Sequence, residues 1–126
     1  MRSILLDTSV WIEHFKKTEK SEKITSSLKE NLVYTCPLTL AEIANWCYKN
    51  NQQPEVFLKS IKVLSSVIEL NEEILVLAAK VCYNKRKKNS KIGLIDCIIY
   101  STASNHNLVL VTTDNDFRDL PNVEFL

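Results

Sequence analysis

The chain has 126 residues, with 16 Lys and Arg against 15 Asp and Glu for a formal net charge of +1, and 45% of it is hydrophobic. That length predicts a single domain over residues 1–126, and the near-neutral balance excludes a globally basic surface, so any nucleic-acid footprint must be local. One Gly and three Pro exclude a many-turned β-sandwich or barrel and favour long helices joined by short connections.

The first predicted element is a short buried strand, Ile4 to Leu6, an apolar run that stops at Asp7. In open α/β sheets functional groups gather beyond the carboxyl ends of strands, which marks Asp7, although its plainer role is to cap the next helix. Thr8 or Ser9 is a further candidate cap for an amphipathic helix over Val10 to Lys17, with Val10, Trp11, Ile12 and Phe15 apolar. A second helix is predicted over Glu22 to Leu32 on Ile24, Leu28 and Leu32. Val33 to Cys36 reads as strand two, stopped by Pro37, which cannot continue a central ladder. Thr39-Leu40-Ala41-Glu42 then matches a capping box, and Leu40, Ile43, Ala44, Cys47 and Tyr48 supply a helical stripe to Asn50.

Pro54 suits the first turn of a helix reaching Leu64, with Val56, Phe57, Ile61 and Leu64 inward. Ser66 to Leu70 is strand three. Asn71 caps a long helix with Glu72 and Glu73 in its first turn and Lys85, Arg86, Lys87 and Lys88 in its last, as the helix dipole favours. Its buried side is Ile74, Leu75, Leu77, Ala78, Val81 and Cys82. Ile92 to Ala103 is apolar on nearly every side and predicts a buried helix carrying Asp96 in its first turns. Leu108 to Thr113 is the strongest strand signal, followed directly by Asp114-Asn115-Asp116-Phe117, and Leu120-Pro121-Asn122 turns the chain into an edge strand, Val123 to Leu126. Strands alternating with helices predict an α/β fold of three layers: a short, mostly parallel sheet of four to five strands flanked by helices.

Four carboxylates now occupy equivalent places: Asp7 after strand one, Glu42 at the start of the helix after strand two, Asp96 near the start of a buried helix, and Asp114 after the late strand. Converged on one end of a parallel sheet, each pair at ~5 Å and an effective dielectric of ~20 repels by about 3 kcal/mol. Such a cluster must protonate or hold a cation, and an all-oxygen ligand set suits Mg²⁺ or Mn²⁺, ions that bind a phosphodiester and activate water. Each residue also has a structural reading. Glu42 completes a capping box, Asp114 and Asp116 suit a turn, and Asp96 is a carboxylate in need of a buried partner.

Taken together, Leu5-Leu6-Asp7-Thr8-Ser9-Val10, Leu40-Ala41-Glu42, Asp96-Cys97-Ile98-Ile99-Tyr100-Ser101-Thr102-Ala103 and Val111-Thr112-Thr113-Asp114-Asn115-Asp116-Phe117 give a sequence that resembles the PIN-domain nucleases, and among them the single-domain VapC-type toxins. The resemblance runs through essentially the whole chain. It implies a PIN-like fold and a Mg²⁺- or Mn²⁺-dependent endoribonuclease site at the residues matching Asp7, Glu42, Asp96 and Asp114. Asp7 and Asp96 would be the principal metal ligands, Glu42 a ligand directly or through water, and Asp116 an assistant to Asp114 or its stand-in. Thr8 and Thr113 would support the site, Thr113 through its hydroxyl. The resemblance also implies a homodimer or toxin-antitoxin hetero-oligomer with a VapB-like antitoxin whose C-terminal segment occupies the cleft.

RNA needs positive charge near such a pocket, and Lys85, Arg86, Lys87, Lys88 and Lys91 form a basic interval just ahead of Asp96; a solvated helix end is the structural reading of the same residues. Trp11 and Trp46 lie at helical spacing with apolar residues, so burial is favoured over stacking on bases. His14 and His106 have no metal-ligand spacing. Cys36, Cys47, Cys82 and Cys97 form no C-x-x-C pair and read as small core side chains in a reducing compartment. With no apolar leader and no run near ~20 apolar residues, the expected location is the cytoplasm. Two other functions stay open on the sequence. One is a housekeeping RNA-processing nuclease of the same fold. The other is a non-catalytic acidic-pocket binding or signalling domain, against which stands the lack of a lysine after a late strand.

Overall fold

The computed structural model describes all residues, Met1–Leu126. In chain order the elements are β1 (Ser3–Leu6), α1 (Thr8–Lys16), α2 (Ser21–Glu30), β2 (Leu32–Thr35), α3 (Pro37–Lys49), α4 (Pro54–Leu64), β3 (Ser66–Val67), α5 (Glu72–Lys87), α6 (Leu94–Asn105), β4 (Val109–Thr112), a single 3₁₀ turn (Asn115–Phe117) and β5 (Val123–Phe125). The strands form one sheet in the order β3-β2-β1-β4-β5, every neighbour pair parallel. No helix is long and apolar enough to cross a membrane.

Successive side chains of a strand point to opposite faces, and here both faces are covered, which is why β1 and β4 read as continuous apolar runs. Ile4 and Leu6 join Val33 and Val111 under α1, α2, α3 and α4, where Val10, Trp11, Ile24, Ile43, Cys47 and Ile61 fill the layer. Leu5 and Leu110 face the other way, toward Ala78 and Cys82 of α5 and Cys97, Ile99, Tyr100 and Ala103 of α6. The expected three-layer α/β architecture is therefore present, with five strands and six helices. All four cysteines are buried and unpaired. Because Ile99 and Leu110 are fully enclosed, truncating either to Ala should cost about 2 to 5 kcal/mol, read as a lowered midpoint in urea unfolding.

The differences from expectation have local causes. Helix α2 ends at Glu30 because Leu32 enters β2 instead. Strand three is two residues long, an edge strand whose only partner is β2. The capping box does not form: Pro37 takes the first helical position and Cys36 precedes it, which draws Thr39 into the first turn of α3. Neither Thr8 nor Ser9 caps α1, since both lie inside its first turn. Tyr48, Val56, Leu64 and Leu75, expected inward, are exposed. In α4 the buried stripe is rotated by about one position, so that Phe57, Leu58 and Ile61 carry the packing.

Candidate active site

The chain runs outward from β1 through β2 to β3, then returns to the other side of β1 for β4 and β5. The strand order therefore reverses between β1 and β4, and the crevice beyond their carboxyl ends is where ligands of open α/β sheets bind. Asp7 leaves β1 at this point and Asp114 leaves β4 two residues after its end. Glu42 comes from the early turns of α3, which follows β2, and Asp96 from the first turn of α6. Topology thus delivers one carboxylate from each of four segments to the same end of the sheet.

Asp7 is 3% exposed, and its two halves have separate tasks. Its backbone N–H donates to the Val111 carbonyl at 2.9 Å, while its own carbonyl accepts from Val10 and Trp11 and starts α1. The carboxylate makes no cap hydrogen bond, so the capping role belongs to the main chain. One carboxylate oxygen, Oδ2, accepts from Ser9 Oγ and from Thr112 Oγ1, each at 2.8 Å. Ser9 Oγ in turn accepts from the Thr113 N–H at 3.1 Å, and Thr112 Oγ1 from the Asp114 N–H at 2.9 Å. The register explains the arrangement: Leu6 pairs with Val111, so the next residues, Asp7 and Thr112, come abreast. The hydroxyl that meets Asp7 is therefore that of Thr112, not Thr113, whose contribution is its backbone N–H.

Glu42 is oriented across the sheet by α1. Thr8 Oγ1 donates to Glu42 Oε1 at 2.6 Å and lies 2.9 Å from Thr39 Oγ1, so the residue pair of the expected capping box turns instead toward Thr8. Asp114 Oδ1 accepts from the Asp116 N–H at 2.9 Å, which is the turn role foreseen for it. That turn also aims Asp116 back at Asp96. Oxygens of Asp96, Asp114 and Asp116 lie within 4.8 Å of one another. Asp7 and Glu42 stand outside this tight triad but within its field.

Burial and mutual repulsion act in the same direction on these groups. Desolvation raises the Asp7 pKa above the ordinary carboxyl range, opposed by the Thr112 and Ser9 hydrogen bonds and reinforced by Asp114. Glu42 is raised by burial, against the Thr8 hydrogen bond, with Asp7 and Asp114 adding repulsion. Asp96 is pushed up to about 7 by desolvation and by the charges of Asp7, Asp114, Glu42 and Asp116. No cation of the chain relieves them, for the only ion pair joins Arg2 to Glu124 elsewhere. Hard carboxylate oxygens gathered without a basic partner fit a divalent cation of the Mg²⁺ or Mn²⁺ type. The adjacent Cys97 thiol, pushed up to about 12 chiefly by burial, stays protonated and is no nucleophile.

The basic interval divides in space. Arg86 is exposed, but its Nε donates to the Ile92 carbonyl at 3.3 Å. Lys87 lies over the Tyr83 ring, 4.4 Å from its centroid. Lys85 Nζ donates to the Arg118 carbonyl at 2.8 Å, and Lys85 and Lys88 line a groove beside the segment that carries Asp116. Trp11 is fully buried, stacked on Phe15. Trp46 is partly buried, edge-on to Phe57. Neither tryptophan is free to stack on a base. Leu94 and Ile95, expected inside, are 51% and 44% exposed and form an apolar lip next to Asp96. Ser9, Thr39 and Thr112 are the residues that sequence reasoning missed; their only signal was a hydroxyl beside each strand end.

A family model described as the PIN domain matches residues 4–123. The chain belongs to the PIN domain family. No curated relative matches it in sequence. Among solved structures, VapBC2 from Rickettsia felis bound to a DNA fragment from its promoter aligns with a TM-score of 0.80 at 20% identity, over 98% of this chain and 97% of that one. VapBC-1 from nontypeable Haemophilus influenzae aligns with a TM-score of 0.74 at 24% identity, over 98% and 96%. The sarcin-ricin-loop-cleaving toxin VapC20 of Mycobacterium tuberculosis aligns with a TM-score of 0.77 at 16% identity, over 96% and 97%. At these identities the neighbours establish a shared fold, and this PIN domain carries its acidic cluster at the switch point of that fold.

Proposed function

We propose that this PIN domain is a divalent-metal-dependent endoribonuclease acting as the toxin of a VapBC-like toxin-antitoxin pair in the cytoplasm, restrained by a VapB-like antitoxin and assembled as a homodimer or toxin-antitoxin hetero-oligomer. The observation that carries the reading is the convergence of Asp7, Glu42, Asp96, Asp114 and Asp116 with no basic partner. The likeness to VapBC assemblies supports the antitoxin, and the likeness to a sarcin-ricin-loop-cleaving toxin supports RNA as substrate.

Asp96, Asp114 and Asp116 would hold the cation, with Asp7 and Glu42 completing its shell directly or through water. A bound Mg²⁺ or Mn²⁺ supplies a water of lowered pKa and positive charge for the phosphodiester oxygens. The chain's own groups position and insulate this chemistry. Ser9 and Thr112 fix one oxygen of Asp7, leaving the other directed by that grip, and Thr8 fixes Glu42. With its pKa raised to about 7, Asp96 would have to be deprotonated to serve as a ligand. The four cysteines are buried in the core and are not available as nucleophiles, and the attacking group in this reading is water.

The test is cleavage of a mixed structured RNA pool by purified protein in Mg²⁺, Mn²⁺ or EDTA. Wild type should cut only with metal, and Asp7→Asn should lose activity by a factor of about 100 or more. Equal inertness of wild type and Asp7→Asn in every cation, with no metal uptake in calorimetry, would leave the acidic-pocket binding domain as the better reading. Growth arrest on expression, relieved by a cognate antitoxin, separates a toxin from a housekeeping nuclease.

A further inference from the structure

One groove outside the acidic cluster is lined by donors. It encloses about 280 Å³ between the C-terminal turns of α5 and the segment after the 3₁₀ turn, with Lys85, Lys88, Asn84 and Ser90 on one wall and Asp119 and Leu120 on the other. Lys85 is not a freely waving side chain. Its hydrogen bond to the Arg118 carbonyl anchors it to the same short segment that, two residues earlier, presents Asp116 to the metal triad. The groove and the acidic site are thus joined by one short segment, Asp116 to Leu120. Asp119, two residues after the 3₁₀ turn ends at Phe117, adopts a left-handed backbone with φ 71 and lines the groove. Two lysines against one aspartate leave the groove a single net positive charge, suited to one phosphate.

Relying on the ribonuclease reading above, we infer that this groove binds a backbone phosphate of single-stranded RNA flanking the scissile bond, with Lys85 and Lys88 as its charge-bearing contacts. The strand would then cross from the acidic cluster over the Asn115–Phe117 turn to the end of α5. Contiguity decides between this and a mere solvated helix end. Lys87, one residue away on the same helix end, is engaged with Tyr83 and does not line the groove, and Arg86 is committed to Ile92. Only the two lysines that line the groove are predicted to count. They are separated by three positions, which puts them one turn apart on one helix face.

The experiment is fluorescence anisotropy of a 5′-labelled single-stranded oligoribonucleotide in EDTA, titrated with wild type, Lys88→Gln, Lys85→Gln/Lys88→Gln and Lys87→Gln between 50 and 200 mM KCl, about the range over which phosphate contacts are felt. Each phosphate contact contributes about 0.7 to the slope of log affinity against log salt. The double variant should flatten that slope by about 0.7, the share of the one phosphate the groove holds, and Lys88→Gln by part of that, with Lys87→Gln unchanged. The Lys88 side chain makes no hydrogen bond or ion pair, its backbone N–H alone bonding the Lys85 carbonyl, so its single variant keeps the test valid if the double variant folds poorly. Unchanged slopes, equal losses at Lys87 and Lys88, no RNA binding by wild type, or tighter lysine-dependent binding of a polyglutamate peptide would each overturn the groove. The nuclease reading fails separately, by absence of metal-dependent cleavage while lysine-dependent binding persists.

Discussion

Asp96→Asn should make the metal-free protein more stable at pH 8 while removing most of the stabilisation that Mg²⁺ or Mn²⁺ confers on the wild type. The Asp96 carboxyl is held at about 7 in the fold and near 4 in an unfolded chain. Between those values the folded protein binds the extra proton. The stability this provides is complete below about 4 and is lost as pH rises through about 7. Above that point the folded state carries a carboxylate that Asp7, Asp114, Glu42 and Asp116 all repel. The group is only half-buried, and solvent screening reduces the effect to about 1 to 2 kcal/mol, or a melting temperature higher by about 4 °C or more for the Asn variant in EDTA at pH 8. At pH 5 the two proteins should melt nearly together. With metal at 100 times its dissociation constant the wild type should gain about 2.7 kcal/mol, and Asp96→Asn far less because one ligand of the triad is gone. Differential scanning calorimetry across pH with and without EDTA measures both halves. A variant less stable than wild type at pH 8 without metal would show that Asp96 serves the fold and not a cation.

What the sequence made legible follows from how local each signal is. Ile4 to Leu6 and Val109 to Thr112 announce themselves because strands covered on both faces are apolar at every position, and Asn71 because its Oδ1 caps α5 through the Ile74 N–H at 2.9 Å. The acidic residues were visible as charges at the ends of apolar runs. Their supporting hydroxyls were not, because the pairing of β1 with β4 joins residues more than 100 positions apart and no local pattern encodes that register. Choosing Thr113 over Thr112 is a one-residue error in a strand, which moves a side chain to the other face. The Thr39-to-Glu42 spacing similarly satisfied the capping-box pattern, yet Pro37 started the helix three residues earlier and released both side chains toward Thr8. Lys85 to Lys91 read as one charged interval, and only the packing of Tyr83, Ile92 and Arg118 sorts it into separate roles.

The sharpest test of that register is Thr112→Val beside Thr113→Val. Thr112 is fully buried, and valine nearly reproduces its shape, so the change removes a hydroxyl and little volume. Three hydrogen bonds go with it: the donation to Asp7 Oδ2, the acceptance from the Asp114 N–H, and the 3.3 Å contact with Ser9 Oγ. The first loss frees the Asp7 carboxylate from one of its two anchors and removes an interaction that lowers its pKa. The second leaves the backbone at Asp114 without its partner just where that residue turns toward Asp96. Loss of a group that orients a metal ligand typically costs 10- to 100-fold in affinity or activity, and Thr112→Val should fall in that range, measured as the Mn²⁺ dissociation constant by calorimetry. Its RNA cleavage should also lose its acidic-side activity at a higher pH than wild type, because an Asp7 deprived of the hydroxyl stays protonated further up the scale. Thr113→Val keeps the N–H that reaches Ser9 and should alter metal affinity by less than about 3-fold, within ordinary surface-substitution effects. Equal behaviour of the two variants would place the functional hydroxyl on the wrong side of β4 and overturn the assignment of Thr112 as the positioning residue of Asp7.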